Sequence, residues 1–218
     1  GSSGCQAIPL IAEQAEQVTV FQRTANYLIP AHNKPLAPAT SRAIKQNYKE
    51  FRAHNKTYPF AFFFEAIDKS ALEVSAEERQ QAYEEAWGRG GLMFLGTFND
   101  LITSEEANLT AQEFFRNKLR AVVKDPLTAE QLMPDFNLGC KRLIVGTDYY
   151  ETYNRENVSL VSIKDSGIDE IASGGIVVGA EQYDCDVIVL ATGFDAITGP
   201  IMAIDITGRN GTAIRDKW

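Results

Sequence analysis

The stretch GSSGCQAIPLIAEQAEQVTVFQRT, residues 1–24, carries the reading of the fold. Gly1-x-x-Gly4 runs directly into a helical pattern, with Ile8, Ile11, Ala12 and Ala15 at i, i+3, i+4, i+7 spacing over residues 5–16. Pro9 fits that helix best near its first turn, where a missing N–H costs least. Val18-Thr19-Val20-Phe21 is β-branched and aromatic and reads as a strand. Turn, helix and strand in this order match the second half of a dinucleotide fingerprint, G-x-G-x-x-G. Gly1 would let backbone approach a pyrophosphate, Gly4 would let helix and strand pack closely, and the helix N-terminus would face the negative charge. Ser2 and Ser3 could add hydroxyl donors, and Gln6 stands on the first turn. On the two glycines alone, an ordinary turn or an expression scar is an equal reading. The following strand supplies the context that the fingerprint demands.

A cofactor with a free ribose 2′-hydroxyl is usually held by an acidic residue near the end of that strand. Gln22-Arg23-Thr24 stands there instead. A guanidinium can bind a phosphate bidentately and Thr24 offers a hydroxyl, so NADP is favoured over NAD. The bland alternative makes Arg23 a solvated charge. Lys141-Arg142 is a second basic pair, at the entrance to Leu143-Ile144-Val145. It reads equally as a guard at a strand edge, and nothing in the sequence brings it near Arg23.

Outward from this core, Pro30 to Pro38 reads as a loop, and residues from about Ser41 to Pro134 read as helical. Ser75 with Glu78, Thr103 with Glu106, and Thr128 with Gln131 each fit a capping box. The helix after Thr103 would bury Phe114, Phe115, Leu119, Val122 and Val123. Gly88, Gly90 and Gly91 punctuate the middle of this region. Strand-like text returns at 143–145, 158–163 and 176–178. Val187-Ile188-Val189-Leu190 is a continuous apolar run, expected as a strand covered on both faces and ending at Ala191-Thr192-Gly193.

Composition sets the bounds. The chain has 218 residues, 44% hydrophobic, enough for one or two domains. Lys and Arg total 21 against 29 Asp and Glu, a net charge of -8, which disfavours non-specific nucleic-acid binding. Three cysteines without a C-x-x-C pair, and two histidines, make neither a zinc site nor a disulfide framework. Reduced thiols in a cytoplasmic protein are expected. The most apolar stretch, Tyr58 to Ile67, is too short to span a bilayer and contains Pro59 and Glu65. No charged and apolar leader opens the chain.

Four segments together resemble the flavin-dependent Baeyer–Villiger monooxygenases of the cyclohexanone, phenylacetone and steroid type. They are GSSGCQAIPLIAEQAEQVTVFQRTANYLIPA (1–31), EERQQAYEEAWGRGG (77–91), CKRLIVGTDYYETYNRENVSLV (140–161) and DVIVLATGFDAITGP (186–200), continued by IDITGRNG (204–211). The resemblance implies a Rossmann-like NADP-binding α/β domain of a flavoprotein with two dinucleotide-binding domains, interrupted by a helical insertion. Residues 1–37 and 136–195 would form the NADP-binding domain, 38–135 the helical subdomain, and 196–218 a return toward the FAD domain. NADPH would reduce FAD, O₂ would form a flavin peroxide, and a ketone would become an ester or lactone. Gly1, Ser2, Ser3, Gly4, Cys5 and Gln6 would cradle the NADP pyrophosphate, and Arg23, Thr24 and Lys141 would hold its 2′-phosphate. Arg142 would be the catalytic arginine beside the cofactors.

The family's F-x-G-x-x-x-H-x-x-x-W segment, its FAD-binding glycine motif and the first strand of its NADP domain have no match here. The expectation is a fragment, inactive alone. His32 and His54 match no part of the pattern and take no role. Related N- or S-oxygenating flavoproteins, or a non-catalytic NADP-binding module, remain the alternatives.

Overall fold

The computed structural model describes residues 1–58, 68–196 and 198–217. The apolar stretch at 59–67 lies outside these residues. Helix α1 (Ser2–Ala12) starts at the first turn after Gly1 and runs through Pro9. An interior proline removes one helical hydrogen bond at about 3 kcal/mol. Cys5 and Ala12 are buried and Ile8 packs against the core, which works against that loss. At its far end Asn157 donates to the carbonyls of Ala12 (3.0 Å) and Ala15 (2.9 Å), which satisfies groups that a helix end leaves open.

Strand β1 (Val18–Gln22) pairs in parallel with β4 (Val158–Ser162), Val18 opposite Val158. Strand β2 (Leu28–Pro30) pairs in parallel with β3 (Ile144–Gly146), Leu28 opposite Ile144. Parallel strands need a crossover. Here it is the helical region: α2 (Pro38–Gln46), α3 (Tyr48–Asn55), α4 (Ala76–Arg89), a 3₁₀ turn at Gly91–Gly96, α5 (Glu105–Val122) and α6 (Pro126–Gln131). A short helix α7 (Tyr149–Thr152) lies between β3 and β4, and α1 packs on β3 and α7. Strands β5 (Glu170–Ala172), β6 (Gly175–Val178) and β7 (Glu181–Asp184) form a separate antiparallel sheet. Helix α8 (Thr198–Met202) follows. The molecule is an α/β, Rossmann-like fold with a helical insertion.

One apolar core joins the strand residues Leu28, Ile29 and Ile144, with Leu143 beside them, to Tyr83, Phe94, Phe114, Phe115 and Leu119 of the helices. The expected buried face of α5 is present, with Val122 only partly covered. The Ser75–Glu78 capping box is formed on both sides. The other two caps are shifted. Ser104, not Thr103, accepts from Ala107 N–H, and Asp125, not Thr128, accepts from Thr128 N–H. Asp125 wins because Pro126 behind it fits the first helical position.

The run 187–190 departs from expectation. It forms no strand, and Val187 and Leu190 are 76% and 73% exposed. The apolar composition is right for a covered strand, but no ladder partner stands beside it among the described residues.

Candidate functional site

The N-terminus of α1 is built as an anion site requires. The first helical bond runs from Cys5 N–H to Gly1 C=O at 3.1 Å, so the N–H groups of Ser2, Ser3 and Gly4 precede the helical ladder. Ser2, Ser3 and Gln6 are exposed. A Cβ on Gly1 would meet nothing within 4 Å. Gly4 is buried, and a Cβ on it would stand 3.4 Å from Ala191 Cβ, an ordinary contact.

Cys5 lies on the other face of the helix. Its side chain is buried, its thiol hydrogen-bonds with Tyr149, and burial raises its pKa. Tyr153 donates to Tyr149 at 2.9 Å, and both rings lie in the core. Burial pushes these phenols up, Tyr153 well above the usual tyrosine value. Cys5 thus anchors the helix end from beneath rather than facing solvent.

Arg23 and Thr24 are exposed, just past the end of β1. Lys141 and Arg142 are exposed just before β3. The fold brings the residues that follow Thr24 beside Arg142 and the start of β3. Ile144 N–H donates to Tyr27 C=O at 3.0 Å, and Asn26 Nδ2 donates to Arg142 C=O at 3.2 Å. Lys141 Nζ sits 4.3 Å from the centroid of the Phe136 ring, a cation–π contact. Lys164, 2.6 Å from Asp135, holds that carboxyl below the usual range, with Lys141 adding a smaller pull.

Asn26, Tyr149, Asn154 and Asn157 escaped the sequence reading. Asn154 accepts from Lys124 N–H at 2.8 Å and donates to Val122 C=O at 2.8 Å, fastening α7 to the end of α5. A polar residue of this kind has no periodicity, and its partners are far away in sequence. Among the described residues no group of His, Cys, Asp and Glu could hold a metal. None of their helices is long and apolar enough to cross a membrane.

No family model matches the chain. It is 41% identical over its whole length to a Baeyer–Villiger monooxygenase of Pseudooceanicola batsensis, spanning 40% of that protein. It is 37% identical to the phenazine N-monooxygenase PhzNO1 of Lysobacter antibioticus, spanning 41% of it. Among solved structures, an oxidized steroid monooxygenase bound to NADP matches all of the chain with a TM-score of 0.93 and 49% identity, over 42% of its own length. The chain thus spans about two-fifths of the length of the proteins it matches.

Proposed function

Since this chain belongs along its whole length to the Baeyer–Villiger monooxygenase family, we infer that the protein carrying it is an NADPH- and FAD-dependent monooxygenase that converts ketones to esters or lactones. The observation that carries this reading is the joining, in one α/β unit, of an open helix N-terminus to two exposed basic segments. Residues 1–37 and 136–195 form the NADP-binding domain in this reading, 38–135 the helical subdomain, and 196–218 the return segment. FAD is assigned to the length of the relatives that this chain does not span.

The residues present fit NADP. The first-turn N–H groups suit a pyrophosphate, with Ser2, Ser3 and Gln6 at hand. Cys5 supports this end from below. Arg23, Thr24 and Lys141 take the 2′-phosphate, which NADH lacks. The flavin, when bound, supplies the activation of O₂. Arg142 would place a guanidinium charge where negative charge develops during oxygen transfer. Free cysteines and an acidic surface fit a cytoplasmic protein with small-molecule partners, a ketone and O₂.

In the full-length protein, Arg142→Ala is expected to abolish ester formation while flavin reduction by NADPH stays measurable. Stopped-flow measurement of the two half-reactions tests this. Undiminished ester formation at saturating NADPH would remove Arg142 from the chemistry, and slowed reduction alone would move it to cofactor binding. A second reading, oxygenation of a nitrogen centre, has the support of the phenazine N-monooxygenase relative. Supplying a cyclic ketone and a heteroaromatic amine in parallel separates the two by product.

A further inference from the structure

Residues 23–27 connect β1 to β2, and both ends of the connection are pinned. Gln22 C=O accepts from Ile163 N–H at 2.9 Å, and Gln22 Nε2 donates to Gln131 C=O at 2.8 Å. At the other end Tyr27 donates its hydroxyl to Phe136 C=O at 2.7 Å. Asn26 stands between. Its Oδ1 accepts from Tyr27 N–H at 2.8 Å, its Nδ2 donates to Arg142 C=O, and its own C=O accepts from Tyr150 OH at 3.3 Å. The two neighbours fix the amide's orientation, because a flipped amide would set oxygen against oxygen and N–H against N–H.

The backbone ladder of β2 and β3 begins at Leu28 and Ile144. Asn26 adds a side-chain rung upstream of it, at Arg142. Tyr27 meets Phe136 edge-on at 5.5 Å, and Phe136 carries the Lys141 ammonium on its ring. Asn26 thus bonds directly to the Arg142 backbone, while Tyr27 and Lys141 meet only through the Phe136 ring that both touch. Resting on the reading that Arg23, Thr24 and Lys141 grip the 2′-phosphate, the geometry points to Asn26 as the positioning residue that sets the spacing between the two basic segments. Charge-assisted pairing depends on fixed alignment, so cations on segments free to drift hold one phosphate less well. NADH carries no phosphate to read that spacing.

The test compares Asn26→Ala, Asn26→Ser and Arg23→Ala in the full-length protein, titrating NADPH and NADH separately and following protein fluorescence. Asn26→Ser keeps a nearby acceptor for Tyr27 N–H but is too short to reach Arg142 C=O. The expected result for both Asn26 variants is NADPH affinity lowered about 3- to 10-fold, with NADH affinity within about twofold of wild type. Equal weakening of both cofactors, or of neither, overturns the proposal, as does failure of both Asn26 variants to fold. A wild-type NADPH-to-NADH ratio in Arg23→Ala sinks the phosphate reading itself. A changed ratio in Arg23→Ala beside an unchanged one in the Asn26 variants sinks only the role of Asn26.

Discussion

At the scale of single residues, the three cysteines show how position decides chemistry. Cys140 and Cys185 are exposed, whereas Cys5 is buried beneath the α1 N-terminus with a raised pKa. The thiolate is the reactive form, so burial suppresses both access and the reactive fraction. A thiol-specific reagent at neutral pH should label Cys140 and Cys185 promptly and Cys5 only on unfolding. Mass spectrometry of timed samples reads this directly, and prompt labelling at Cys5 would show that the helix end opens. Arg23 and Thr24 were legible as candidates because a strand end is a defined place in a dinucleotide fold. Asn26 was not. An asparagine in Ala25-Asn26-Tyr27 has no pattern to announce it, and its partner Arg142 is 116 residues away.

At the scale of elements, the most legible features were those with local causes. The apolar stripe of α5 and the box at Ser75–Glu78 depend on residues three or four apart, and both are present. The strand expected at 187–190 depends on a partner, which composition does not supply. The end of α4 offers a paired test. Gly88 is helical and exposed, and a Cβ there meets nothing within 4 Å. Gly90 has φ 72° and ψ -176°, and a Cβ on it would fall 2.3 Å from Pro30 C=O and 2.7 Å from His32. Gly88→Ala should stabilise by about 0.5–1 kcal/mol through helix propensity. Gly90→Ala should destabilise by about 3 kcal/mol, since its backbone conformation is nearly exclusive to glycine and the added atom strikes β2. Urea unfolding of both variants gives the two signs. Like signs would mean that the turn after α4, where it packs against β2, relaxes freely.

At the scale of the whole molecule, the segment after β7 leaves apolar surface in water. Val187, Val189 and Leu190 are largely exposed and Phe194 is 94% exposed, close together in sequence. Soluble proteins rarely leave such a patch uncovered, and exposed apolar segments are prone to self-association. The 218-residue chain by itself should sediment above its 24.1 kDa monomer mass as concentration rises. Val189→Lys with Phe194→Ser should return it to the monomer. A wild-type chain that stays monomeric at about 100 μM, where exposed apolar segments commonly associate, would show the patch covered in solution.

The parallel pairing of β1 with β4 also sets an order in time. Val18 meets Val158 and Leu28 meets Ile144, so the first thirty residues have no sheet partner among the described residues until the chain has grown past 140. At roughly 5–20 residues per second, synthesis leaves β1 waiting on the order of ten seconds for β4. During that interval the nascent α1 and β1 have only local contacts, while α4, α5 and α6 emerge and can begin to pack among themselves. Within this chain, β1 and β2 are therefore made well before the strands that complete their pairing.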